Sequence, residues 1–464
     1  MTSWIPDLST TNTPRYMAIA DAIAADLAAG RLTPGDRLPA QRRLAGELGL
    51  DFTTVARGYA EAQRRGLLAS QVGSGTYVTD PGSKEHPKQV KSDTRRNGPA
   101  DFSMNLPPEP DDEALMDRMR AGTEALSQDL LSLLRYQTFP TDGPDREMAL
   151  RWLKGVGLRP AADRVQFASG AQAALAGILS VLASPGDMIA CEALTYPGIR
   201  SLCSQLNLGL MGLEEDDHGL DPAAFEAACK DRMIKALYLN PTLHNPTTRT
   251  LSLQRRKELA EISARHGVPI LEDDAYGQLC QTKPQPFAVL APETTWYVGS
   301  LSKCVGAGLR LAHVVAPERN ASMRLARVLR SQSVMVSPIM MALASRWIED
   351  GTANDMLWHI RNESAARQKL AAQHLKDQTF RADPDGFHLW LQLGNGWTST
   401  AFVSQVRNQS IGLAESDAFV VSGQSPEAVR LCLGGPHKRS QVDTALSVIA
   451  ETLSNAPQDV ATYF

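Results

Sequence analysis

Ser300-Leu301-Ser302-Lys303-Cys304-Val305-Gly306-Ala307-Gly308-Leu309-Arg310 is the stretch on which the fold is decided. A lysine follows two serines, a glycine-bearing turn comes next, and an arginine lies seven residues beyond the lysine. An amine beside hydroxyls and a guanidinium suits a cofactor that carries both an aldehyde and a phosphate. Pyridoxal 5′-phosphate (PLP) is such a cofactor: the lysine forms the Schiff base, and serine and arginine hold the phosphate. The same stretch also reads as an amphipathic loop with a surface lysine, so the rest of the chain has to supply the partners.

Working outward, residues 101–464 alternate apolar runs of strand length with helical patterns. Val165–Ala168, Met188–Cys191, Ile234–Leu239, Pro269–Leu271, Trp296–Val298 and Ala312–Val315 read as strands, and Ala173–Leu182 and Leu253–His266 as helices. This alternation predicts an α/β unit with a mainly parallel sheet. Ligands in such sheets sit beyond the carboxyl ends of the strands.

Chemistry-bearing residues fall there repeatedly. Gly170-Ala171-Gln172 lies between a strand and a helix, where free N–H groups favour a phosphate. Tyr196 follows a strand and offers a ring to stack, or is simply a core or surface tyrosine. Asn245 lies in the proline-stiffened loop Asn240-Pro-Thr-Leu-His244-Asn245-Pro246-Thr247 and can donate to a cofactor oxygen. Glu272-Asp273-Asp274-Ala275-Tyr276 ends a strand, and acids there are costly to bury without a cation. The acids read as an exposed loop or as a partner for a protonated pyridine nitrogen. No histidine lies at ligand spacing, so a metal is not expected. Arg430, among the apolar residues of 427–434, suits capture of a carboxylate or a structural ion pair.

Together these parts resemble the class I aminotransferases of PLP fold type I, in matching order along 101–464. The resemblance implies roles at matching positions. Lys303 forms the Schiff base, Asp273 pairs with the pyridine nitrogen, Tyr276 and Asn245 bond the phenolic oxygen, and Tyr196 stacks on the ring. Gly170, Ala171, Gln172, Ser300, Ser302 and Arg310 hold the phosphate. Tyr136 reaches the phosphate of a neighbouring subunit, and Arg430 binds an α-carboxylate. Two departures are Thr248 and His313, each where the family usually has glycine, so that loop shape is open to change.

The first eighty residues differ in kind. A helical pattern runs from Pro14 to Gly30, a second from Ala40 to Leu48, and a third follows Asp51 as its cap. Gly66-Leu-Leu and Gly73–Val78 read as two strands about a glycine turn. This is a three-helix unit with a hairpin, or a helix-turn-helix with a wing. Gly30-Arg-Leu-x-Pro-Gly-Asp-x-Leu-Pro39, Arg42-x-Leu-Ala45, Thr54-Val55, Tyr59 and Gly73-x-Gly75-Thr76 resemble the winged helix-turn-helix of GntR-type regulators. The resemblance implies that Arg42 clamps phosphate, that the third helix enters the major groove, and that Gly75 and Thr76 approach the minor groove or backbone. Thr53, Thr54 and Arg57 lie early on that helix, where side chains reach bases or phosphates. Phe52 stands where many relatives carry arginine; its ring either contacts a thymine methyl or packs.

The domain layout expected is therefore 12–79 winged helix-turn-helix, 80–100 flexible basic linker, and 101–464 aminotransferase-like unit for PLP, effector and dimerisation. This is the plan of the MocR-type branch of GntR regulators. It implies a PLP-dependent transcription regulator that senses an amino acid, an amine or PLP itself. Its partners would be double-stranded operator DNA and a second, head-to-tail copy. A working class I aminotransferase with a secondary DNA-binding domain, and a cofactor-free repressor, remain as alternatives.

Composition is consistent with these readings. The chain has 464 residues, 43% hydrophobic and 21% charged, with net charge −4, so DNA binding has to come from a local patch. The six cysteines lack C-x-x-C spacing and fit reduced thiols. The longest apolar run, Ala173 to Ala183, is too short for a bilayer, and a cytoplasmic protein is expected.

Overall fold

The computed structural model describes residues 4–8, 13–71, 75–79, 100–137, 143–231 and 234–455. The predicted linker, apart from its last residue, lies outside the described residues, as does Gly73. The chain divides into two units, Met1–Ser92 and Asp93–Phe464.

In the first unit, α1 (Arg15–Ala28), α2 (Gln41–Leu48) and α3 (Phe52–Arg64) precede an antiparallel pair, β1 (Leu68–Gln71) and β2 (Gly75–Val78). The apolar stripes foreseen from the spacing meet inside: Ile19 and Ile23 of α1, Leu44 of α2, Val55 and Tyr59 of α3. Gly49, at φ +62°, ends α2 in the left-handed conformation open to glycine. Asp51 caps α3, its carboxylate accepting from the Thr53 N–H at 2.7 Å. Tyr59 donates from its buried ring to the Pro39 carbonyl at 2.9 Å, which ties α3 to the turn before α2. Gly58 lets α1 and α3 touch: a Cβ there would stand 2.9 Å from Ile19 Cβ.

The second unit is built on a seven-stranded sheet. Its spatial order is Val165–Ala168, Ala312–Val315, Thr295–Ser300, Ile270–Asp273, Ile234–Leu239, Met188–Glu192 and Gly209–Leu213. All neighbours are parallel except Ala312–Val315, which runs antiparallel to both of its own. Alternation splits each strand between two cores. Leu271, Tyr238 and Val298 pack beneath the helices Ala171–Leu182 and Arg319–Ser333. Ile270, Leu237 and Leu239 point the other way, toward the helix Leu253–His266. A smaller antiparallel sheet follows, ordered Phe380–Ala382, His388–Gln392, Ala428–Cys432, Ala414–Glu415. The helices Thr352–His374 and Arg439–Ser454 close its core, which also takes in Ala100 and Phe102. Among the described residues no helix is long and apolar enough to cross a membrane.

Candidate functional site: a half-buried lysine, a buried carboxylate and a phosphate cradle

Strand register gathers the predicted residues. Ala168, Ala312 and Ser300 lie side by side across three strands. Hence Gly170 two residues on, Arg310 two residues back and Ser302 two residues on emerge at one end of the sheet. One strand further, Asp273 pairs with Val298.

The cradle is built on Gly170. It precedes the helix Ala171–Leu182 with φ +93°, and a Cβ there would stand 2.8 Å from the Arg310 guanidinium. Glycine is required twice, by its backbone angle and by the arginine lying against it. Among the described residues no side chain caps this helix start, so its free N–H groups and the guanidinium both suit an anion. Ser300 Oγ donates to Ser302 Oγ at 3.0 Å and accepts from the Ser302 N–H at 3.1 Å, fixing the two hydroxyls together.

Lys303 is half-buried, and its amine donates to the Asn105 carbonyl. Burial pulls its pKa down to about 8, with the nearby arginines acting in the same direction. Asp273 is buried. One carboxylate oxygen accepts from Tyr238 OH at 2.8 Å, and the other has no partner among the described residues. Burial pushes this acid up to about 6. Asn240 braces the loop, donating to the Asp273 carbonyl at 2.6 Å while its own oxygen accepts from the Asn245 N–H at 2.9 Å. Tyr276 OH accepts from the Asn105 amide at 2.8 Å, and Tyr196 OH donates to Gln172 Oε1 at 3.3 Å.

Arg430 is buried and already held. One nitrogen donates to Asn245 Oδ1 at 2.8 Å, another donates to the Ser103 carbonyl, and Nε has no partner among the described residues. Its guanidinium lies 5.1 Å from the Phe419 ring centroid. The sequence did not single out Ser103, Asn105, Tyr238 or Asn240. The first two belong to residues 101–108, tied by backbone pairing to Gly412 and Gly435.

A second layer lies behind. His244 Nδ1 is 2.7 Å from Thr247 Oγ1, and its Nε2 is 3.3 Å from Glu192 Oε2, an ionic contact without hydrogen-bond alignment. Burial opposes the charged imidazole, but Glu192 outweighs it, and the pKa rises. His388 contacts the His244 carbonyl at 3.1 Å, and burial lowers it to about 3, leaving it neutral.

The two departures find physical accounts. Thr248 takes φ +61° in spite of its branched side chain, with its N–H donating to the His244 carbonyl at 2.7 Å. The turn is made without glycine and carries strain. Thr248→Gly is expected to stabilise the unit by about 0.5–1 kcal/mol, after the entropy that glycine adds to the unfolded chain; a denaturant midpoint that falls would contradict this. His313 is buried against Phe167 at 5.6 Å, neither ring nitrogen has a partner among the described residues, and burial lowers its pKa to about 4.

Tyr136 stands apart from these groups, 82% exposed, beside Leu131 and Leu134 at 75% and 63%. In the first unit, Arg42 lies 5.8 Å from the Phe52 ring centroid and Arg57 lies 4.4 Å over Tyr16. Thr54 follows on α3, and Gly75 and Thr76 lie on β2.

Fold and residue set define a winged helix-turn-helix unit and a PLP-transferase-type unit in one chain. The chain belongs to the class I and II aminotransferase family, whose model matches residues 101–449; the gntR family of bacterial regulatory proteins matches residues 15–78. It is 28% identical to the HTH-type transcriptional regulator YdeF of Bacillus subtilis, covering 98% of this chain and 97% of that one. It is also 28% identical to the vitamin B6 salvage pathway transcriptional repressor PtsJ of Salmonella typhimurium, over 94% and 98%. The fold matches that of LysN, the α-aminoadipate aminotransferase of Thermus thermophilus, with TM-score 0.68 at 21% identity, over 79% of this chain and 95% of that one.

Proposed function

We propose that this chain is a PLP-dependent transcription regulator that senses an amino acid or amine at Lys303 and binds operator DNA as a homodimer in the cytoplasm. The observation that carries the reading is the pairing of a lowered lysine amine with a buried carboxylate oxygen that has no partner among the described residues. A buried orphan acceptor is costly unless a donor is supplied, and a protonated ring nitrogen is such a donor. PtsJ is named for a vitamin B6 pathway, and LysN was solved with N-(5′-phosphopyridoxyl)-L-leucine, both in keeping with this assignment.

The residues fit the group. Asp273 would hold its ring nitrogen, Tyr276 and Asn245 its phenolic oxygen, and Tyr196 its face. The start of the helix at Gly170-Ala171-Gln172, with Ser300, Ser302 and Arg310, would hold its phosphate. When bound, PLP supplies an aldehyde that captures amines and a ring that draws electrons from them. Lys303 presents its amine, a useful fraction of it neutral near neutral pH. Arg430 is placed to exchange the Ser103 carbonyl and Asn245 for an effector carboxylate, a stronger, charge-assisted contact. Exposed Tyr136 and its leucines suit burial against a second copy.

The expected result is a change in both the visible spectrum and DNA affinity of the full chain when one amino acid from a panel is added. Arg430→Ala should raise the concentration needed about 30-fold or more. An amine of the same side chain lacking the carboxylate should act equally on both proteins. A response to the amino acid unchanged in the variant would overturn the role of Arg430.

A working aminotransferase is the second reading, favoured by a Lys303 amine titrating near 8, where it can both take and give protons. Rapid conversion of the cofactor to its pyridoxamine form, reversed by several 2-oxo acids, would support it.

A further inference from the structure

We infer that Phe52 is a base-reading residue and that the group it reads is the C5-methyl of thymine in the major groove. The inference rests on the DNA-binding reading above and adds its specificity.

Phe52 is the first residue of α3, directly after the Asp51 cap. It is 43% exposed, and among the described residues of the first unit only Ile5 is another large apolar side chain so exposed. Packing inside the unit therefore does not account for it. Two polar neighbours on the helix, Thr53 and Arg57, are committed elsewhere. Thr53 donates both its N–H and its hydroxyl to the Asp51 carboxylate, at 2.7 and 2.5 Å. Arg57 lies over the Tyr16 ring at 4.4 Å. Arg42, reaching across from α2, places its guanidinium 5.8 Å from the Phe52 ring centroid. That contact orients the ring while leaving the cation exposed, where it suits a phosphate.

A phenyl ring has no donor or acceptor, so it cannot read the hydrogen-bonding edges of a base pair. The apolar group that unmodified DNA displays in the major groove is the thymine methyl. An aromatic side chain at the tip of a helix that enters this groove thus selects A·T pairs by that methyl. An Arg42–phosphate contact beside it sets the depth at which the ring meets it.

The test uses the full chain. Duplexes are selected from a random library, and each thymine of the enriched site is replaced in turn by deoxyuridine, which removes only the methyl. The wild type should lose about fourfold in affinity at one thymine per half-site, the worth of one buried methyl. Phe52→Ala should bind the thymine and uracil duplexes equally, and Phe52→Leu should keep part of the difference. Indifference of the wild type to every replacement, or a thymine–uracil difference that persists in Phe52→Ala, overturns the inference and leaves the DNA-binding reading standing. Failure to enrich any duplex overturns both.

Discussion

Lys303→Ala is expected to abolish covalent retention of PLP and, with it, the response of DNA binding to an amino acid. Borohydride treatment of the wild type should fix the cofactor to the chain, and the variant should release all of it on denaturation. The fold should survive, because the lysine side chain is half-buried and its one hydrogen bond among the described residues is to the Asn105 carbonyl. The phosphate cradle is untouched, so weak cofactor binding should persist and circular dichroism should not change. What is lost is specific chemistry: Cys304, the adjacent nucleophile, is buried, its thiol pushed up to about 12, and it cannot substitute. An amino-acid response equal to that of the wild type would contradict the account.

Asp273→Asn carries the second large effect. The substitution keeps size and the contact with Tyr238 but removes the charge. A buried, charge-assisted pair with a protonated ring nitrogen is worth about 2–4 kcal/mol, so the affinity for PLP should fall about 30- to 1000-fold. The pH dependence follows from the raised pKa. Asp273 alone titrates at about 6, pushed up by burial, so below that pH it must lose a proton before it can pair. Wild-type affinity should be level above pH 6 and weaken as pH falls through 6, while the asparagine variant loses this limb. Stability without cofactor runs in the opposite sense. A folded-state pKa above the ordinary value means that the folded chain binds more protons between about 4 and 6. The contribution of Asp273 to stability should therefore rise as pH falls across that window, so that the wild type gains on Asp273→Asn there. Fluorescence quenching by PLP from pH 5 to 8 measures the first effect, and equilibrium unfolding the second.

Much of this arrangement was readable from residue order. Asp273 and Ser300 are the last residues of their strands, Gly170 lies two residues past another, and Asn245 lies in the loop after a fourth, so the carboxyl ends of the sheet marked the site in the sequence. The helices of the first unit followed from 3.6-residue spacing and from the Gly49 and Asp51 punctuation. Other features depend on contacts that no local pattern encodes. Asn105 meets Lys303 across 198 residues, and Ser103 meets Arg430 across 327. Their segment has no periodicity and gave no signal. Tyr238 read as one more apolar strand residue; its place one residue before the strand end is the clue that its hydroxyl reaches the site. Glu192 ends one strand and His244 lies in the loop after the neighbouring one, and only the parallel pairing of those strands brings them together. The reversed direction of Ala312–Val315 was also hidden, since an apolar run reads the same both ways. Phe52 was legible as an oddity, and its exposure beneath Arg42 turns the oddity into a reading position.

The central claim is that one event at Lys303 sets both the state of the cofactor and the grip on DNA. The most direct measurement titrates an effective amino acid into the full chain with its selected duplex, recording visible absorbance and fluorescence anisotropy of labelled DNA in the same samples. The two curves are predicted to share a midpoint, and both to be absent in Lys303→Ala. A spectrum that shifts to completion while anisotropy stays level would contradict it.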